Sequence, residues 1–90
     1  MDKNIFNDIA ETFTNIIADK YDSGLYDIPK NLETKNGFLQ YFKKWLQAES
    51  KSSYTDYSND CKHVLQHFNE VDAEEFDPEN EPGKFIPVLK

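Results

Sequence analysis

His63 and His67 stand four residues apart in the run Asp60-Cys61-Lys62-His63-Val64-Leu65-Gln66-His67. On a helix this spacing puts both imidazoles on one face. It is half of a zinc site, with Asp60 one turn earlier as a third ligand. Two features weigh against metal chemistry. Val64 stands where a metalloprotease helix carries its glutamate general base, and Cys61 points to another side of the helix than His67. Cys61 and His63, two residues apart, also face different ways, so they do not form a nucleophile and base pair. Two exposed histidines on a polar face, with no metal and no cofactor, are expected.

The densest ionisable cluster lies just beyond. Glu70, Asp72, Glu74, Glu75, Asp77, Glu79 and Glu81 place seven acids in twelve residues with no lysine among them. A calcium-binding EF-hand loop needs a glycine at position six and a glutamate at position twelve. Counted from Asp72, those positions hold Asp77 and Gly83. A glycosidase pair needs two carboxyls across a sugar-sized cleft, one of them in an apolar pocket, and a chain of 90 residues has little room for such a cleft. No enzyme is expected. The acids can still act through their summed field, either docking on a basic partner or only keeping the protein in solution. Tyr54 and Tyr57, beside Asp56 and Asp60, add an aromatic-acidic strip of the kind frequent at interfaces. The residues expected to meet a partner are therefore Tyr54, Asp56, Asp60, Glu70, Asp72, Glu74, Glu75, Asp77, Glu79 and Glu81. Asp8, Glu11 and Asp19 form a second acidic face. Lys35, Lys43, Lys44 and Lys51 cluster the other way, as an internal counter-charge or a second contact patch.

The elements that position these groups follow from apolar periodicity. Ile5, Phe6, Ile9, Phe13, Ile16, Ile17 and Tyr21 form one stripe and predict a helix over 2–21, capped by Asp2 or Asn4 and stopped at Gly24. Leu25 to Ile28, before Pro29, reads as an extended connector or short edge strand. Phe38, Leu39, Phe42, Trp45 and Leu46 predict a second helix over 34–49 with Thr34 as its cap. Tyr57, Cys61, Val64, Leu65, Phe68 and Val71 predict a third over 53–71, started by Ser53 or Thr55. An acidic segment at 70–81 follows, with one helical turn at Ala73 to Phe76 as a candidate. The chain ends in an extended tail over 82–90, where Pro87 leaves at most an edge strand at 85–89. The expected fold is all-α: one small domain over 1–90, built as a three-helix bundle closed by the tail. Phe13, Phe42, Trp45, Leu65 and Phe68 are its expected core.

Composition narrows the function further. The net charge is −7, from 17 acids against 10 bases, and all the bases are lysine. Lacking arginine's planar fork for phosphates and guanine, so acidic a chain is a poor direct ligand for nucleic acid or anionic membrane. One cysteine excludes an internal disulfide and points to a reducing, cytoplasmic setting. Neither a membrane-length apolar run nor the pattern of a secretory signal is visible. The bias to Lys, Asn and Ile fits an AT-rich genome, such as a low-GC bacterium or its phage. The leading expectation is a small inhibitor of the phage anti-defence, DNA-mimic or nuclease-immunity type. Its partner would be a basic protein, such as a nuclease or another nucleic-acid-binding protein. The rival is an adaptor or regulatory subunit that lends its apolar tail, Phe85 to Leu89, to a partner's sheet or groove.

Overall fold

The computed structural model describes residues 1–24 and 30–90; the connector expected at 25–28 lies outside them. The chain is mostly helical, as expected, with a small two-stranded antiparallel sheet in which the strand expected at 85–89 has a partner.

Helix α1 spans Lys3–Ser23. Its N-cap is Asp2, whose carboxylate accepts the Asn4 and Ile5 N–H groups at 2.9 and 3.1 Å and satisfies two of the donors a helix start leaves free. Gly24 ends it at φ 62°, the left-handed conformation that glycine adopts without strain. Helix α2 spans Lys35–Ser50, and Thr34 caps it by accepting the Gly37 N–H at 3.1 Å. Both helices match their stripes to within about two residues.

Helix α3 is shorter than expected. It spans only Ser58–Gln66, in place of 53–71. Upstream, the Tyr54 N–H turns back to the Ser52 hydroxyl at 3.1 Å; neither Ser53 nor Thr55 caps the helix, whose start at Tyr57 has no side-chain cap. Downstream, a 3-10 turn at Phe68–Glu70 leads directly into strand β1, Val71–Glu75. Val71 and Ala73 are buried and Asp72 is half-buried between them. This is a strand's period of two, so no helical turn forms at Ala73 to Phe76. The C-terminal run forms strand β2, Phe85–Leu89. The two strands pair in the register Val71↔Leu89, Asp72↔Val88, Ala73↔Pro87, Glu74↔Ile86 and Glu75↔Phe85. The tail is therefore part of a hairpin, as the edge strand that Pro87 allows.

The core lies where α1, α2 and α3 meet the inner face of this hairpin. Phe13 and Phe42 are fully buried, with ring centroids 4.6 Å apart. Trp45 sits 5.2 Å from Phe13, and Phe68 sits 6.2 Å from Phe42. Trp45, Phe68 and Leu65 are half-buried and packed against the core rather than inside it. Phe85 reaches Phe38 from β2 at 5.8 Å. Cys61 and Val64 of α3 are buried with them.

Gly37 bears a constraint that its place in the first turn of α2 hides. It is buried, and a Cβ there would run into the backbone carbonyl of Asn31. That carbonyl is held in place, because it accepts both the Thr34 N–H at 3.1 Å and the Thr34 hydroxyl at 2.9 Å. Gly37→Ala should therefore destabilise the protein, although in an open helix the same change gains about 1 kcal/mol. Urea unfolding of the variant checks this, with a lowered midpoint as the expected outcome.

Candidate functional site

The acids fall into separate groups. Asp72 at the start of the hairpin is bound to Lys35 in the first turn of α2, with Nζ to Oδ1 at 3.0 Å. Tyr57, at the start of α3, stacks on Trp45 in the last third of α2 at 5.9 Å, and Tyr54 follows closely on the C-terminal end of α2. Helix α2 has 16 residues, about 24 Å at 1.5 Å per residue. The hairpin acids and the strip of Tyr54, Asp56 and Asp60 therefore sit toward opposite ends of α2 and do not make one surface. Tyr54 is 96% exposed and Asp56 is exposed, whereas Asp60 is half-buried.

The hairpin itself is ordered by its hydrogen bonds. Phe76 N–H donates to the Lys84 carbonyl and Lys90 N–H to the Glu70 carbonyl, both at 2.9 Å. Antiparallel strands alternate bonded and non-bonded pairs, so Asp72, Glu74, Ile86 and Val88 turn their backbone groups toward the partner strand. Val71, Ala73, Glu75, Phe85, Pro87 and Leu89 turn theirs outward. On β1 two of these outward donors are already satisfied. Val71 N–H bonds the Phe68 carbonyl, and Ala73 N–H bonds the Asp72 carboxylate at 2.8 Å. On β2, Pro87 has no N–H to offer. Both edges thus resist a further strand.

The side chains sort by the same alternation. Val71, Ala73, Phe85, Pro87 and Leu89 line the inner face. The opposite face carries Asp72 and Glu74 on the first strand beside Val88 and Ile86 on the second, while at the turn end Phe76 and Lys84 come round to line a cavity against α1; Glu75, across from Phe85, has the inner-face parity but lies beyond the core and is exposed. Ile86 and Val88 are half-buried yet do not pack on the core, and Phe76 is 55% exposed. Beyond Phe76, Asp77 takes φ 55° and its carboxylate bonds Asn80 N–H at 3.3 Å and Asn80 Nδ2 at 3.0 Å. Asp77 therefore shapes the hairpin turn. Glu81 pairs with Lys84 at 3.5 Å. Glu74, Glu75 and Glu79 are exposed and form no ion pair among the described residues.

Glu70 faces elsewhere. Its carboxylate lies 3.4 Å from the Met1 amino group and 3.0 Å from Nδ1 of His67. Partial desolvation pushes this carboxyl up, but the Met1 and His67 bonds and charges outweigh it and hold the group below its ordinary range. The histidine pair belongs to the same corner. The rings of His63 and His67 lie 4.8 Å apart. Nε2 of His63 accepts the Asp2 backbone N–H at 3.0 Å, so its lone pair is committed to the start of α1. No group of three or more His, Cys, Asp or Glu among the described residues is placed to hold a metal ion. Cys61 is fully buried, and burial, then the charges of Glu49 and Asp60, push its thiol up to about 12. A thiol so disposed is a poor nucleophile.

A cavity of about 330 Å³ lies between α1, α2 and the hairpin, lined among others by Ile17, Tyr21, Phe38, Phe76, Phe85 and Ile86. Lys84, also on its wall, is held by Glu81 and by the Tyr21 ring, 4.8 Å from its Nζ. Among the described residues no helix is long and apolar enough to cross a membrane. Comparison of the chain with protein-family models, curated proteins and solved structures finds no match.

The Lys35–Asp72 contact ties the hairpin to α2. The Lys35 bond, then the Ala73 N–H, then the charges of Lys35 and the more distant Lys90 hold the Asp72 carboxyl below its ordinary range, against an opposing desolvation. A carboxyl depressed in the folded state stabilises it fully above the unfolded value, near pH 4. That stabilisation is lost as pH falls through the depressed folded value. Carbon-detected NMR titration should show Asp72 ionising below its ordinary range. Lys35→Met should bring it part of the way back, since the Ala73 bond remains, and should reduce the fall in stability as pH drops below about 4.

Proposed function

We propose that this chain is a small protein-binding module of the inhibitor type, which sets its acidic hairpin against the basic surface of a nucleic-acid-handling protein. The helices, packed as a three-helix bundle, serve as the rigid body behind that hairpin. The observation that supports the reading best is the position of Glu74, Glu75 and Glu79. All three are exposed and lack a counter-ion among the described residues, at one end of a molecule with net charge −7. Two paired strands space the first two and a turn built by Asp77 presents the third. Uncompensated charge of one sign on a rigid element raises association rates with an oppositely charged groove and adds little to folding. A nuclease or other DNA-handling protein offers such a groove, since its own ligand is a polyanion. A cytoplasmic, phage-encoded setting fits this role.

Asp72 and Asp77 hold the hairpin in shape, so the test leaves them in place. The variant Glu74→Gln, Glu75→Gln, Glu79→Gln should fold as the wild type does, by circular dichroism and thermal melting. Against a DNA-binding partner recovered from the native host, wild-type association should slow steeply with added salt, and duplex DNA should compete. The triple variant should associate about ten- to a hundredfold more slowly at low salt and lose most of its salt dependence. Equal binding by variant and wild type at every salt concentration would refute the hairpin as the docking element.

A further inference from the structure

The cavity at the turn end of the hairpin has one wall on α1. Thr14, Ile17, Ala18, Tyr21 and Asp22 form that wall, at spacings that put them on one helical stripe. Ile17 is buried, but Ala18 beside it is small and exposed. It adds no bulk to the space in front of it. Phe76, Phe85 and Ile86 line the cavity from the hairpin. Phe76 is 55% exposed there, so the space opens to solvent at its side. We infer that this cavity is an anchor site that takes one aromatic side chain from a lysine- or arginine-rich segment of the partner protein. The inference rests on the proposed acidic docking function and adds to it a pocket and the residue type that fills it.

Size, lining and charge select that occupant. A volume of about 330 Å³ lies at the lower end of the about 300–1,000 Å³ usual for small-ligand pockets, which suits one large side chain. The rings of Tyr21, Phe38, Phe76 and Phe85 line it from α1, α2 and the hairpin, and aromatic pairs gain beyond the area they bury. Side chains seated in such pockets carry much of the binding energy at interfaces. The charged groups on the wall favour a basic flank. Lys84 is already held by Glu81 and by the Tyr21 ring, so an acidic ligand finds a committed lysine. Asp22 is exposed and forms no ion pair among the described residues. Glu75, next to Phe76 in the chain, is likewise exposed and unpaired among them. A second copy of this chain would bring net charge −7 against −7.

The probe is a capped peptide of two lysines, one tryptophan and two lysines; its control carries alanine in place of the tryptophan. Binding to the isotope-labelled full-length protein is followed by NMR. The tryptophan peptide should bind about tenfold more tightly than the control, with shift changes centred on Ile17, Tyr21, Phe76 and Ile86. Ala18→Leu puts bulk into the cavity from an exposed helix position, using a good helix former. It should erase the difference and leave binding of the alanine peptide unchanged. A single Phe76→Ser variant, outside both strands, should reduce the difference independently. The variant Glu74→Gln, Glu75→Gln, Glu79→Gln should weaken both peptides by the same factor. Equal affinity for both peptides would overturn the anchor site and leave the acidic reading standing. Unchanged binding of both by the triple variant would overturn the acidic reading and leave the anchor site standing. Neutral N-acetyltryptophanamide bound as tightly as the peptide would overturn the basic flank and mark a small-molecule site. Concentration-dependent shifts at the cavity without peptide would assign it to a second copy and overturn the inference. No low-salt binding of either peptide would overturn both readings.

Discussion

Phe13 and Phe42 meet at 4.6 Å with no exposure to solvent, and the rest of the molecule is organised around that contact. It joins the middle of α1 to the middle of α2 and supplies a surface for Trp45, Phe38, Tyr41 and Phe68 to pack on. In a chain of this length, with about 60–65% of its unfolded surface buried, such rings carry much of the stability, since each buries about 150–250 Å². They also leave one flank of the core open beyond Phe38 and Phe42. The inner face of the hairpin closes it, with Phe85 on Phe38 and Val71, Ala73 and Pro87 buried.

That closure decides how the acids are displayed. A strand that buries every second side chain must turn the others out. Val71 and Ala73 point inward, so Asp72 and Glu74 point outward in a fixed row. The constraints at the edges follow from the same alternation. Pro87 is tolerated because its missing N–H falls on the outer edge, and Asp72 bends back to satisfy Ala73 while Lys35 holds it to α2. One acid is thus spent on structure, and others keep their charge for a partner. At the opposite corner His63 and Glu70 hold the start of α1. They are structural contacts in this fold, and Glu70 does not belong with the exposed acids of the hairpin.

The two long helices were legible because their stripes are long, regular and bounded by cap residues at Asp2, Thr34 and Gly24. The third stripe misled at its end. Val71 lies three residues after Phe68, a helical step, and nothing local separates that step from the first residue of a strand. The deciding partner is Leu89, 18 residues further on, and a local periodicity cannot register it. The same gap hid how the acids are divided. Acidic composition alone made Glu70 to Glu81 look uniform, whereas pairing divides it into residues that bond inward, shape a turn or stand free. Tyr54, Asp56 and Asp60 looked contiguous with that segment because a third helix over 53–71 would have led straight into it. With α2 running between them, they sit toward its other end.

The central claim is that residues 71–75 form a rigid, paired strand that holds its acids in fixed positions. Native-state hydrogen exchange tests it at single amides. The amides of Glu74, Phe76 and Ile86, bonded across the hairpin, should be protected to nearly the same free energy as those of Phe13 and Phe42 in the helices. The amide of Glu75, turned outward, should exchange much faster than its two neighbours. Exchange of Glu74 and Phe76 at the rate of an unstructured peptide, with the helices still protected, would contradict it. The acids would then lie on a loose segment, with no fixed arrangement to present to a partner.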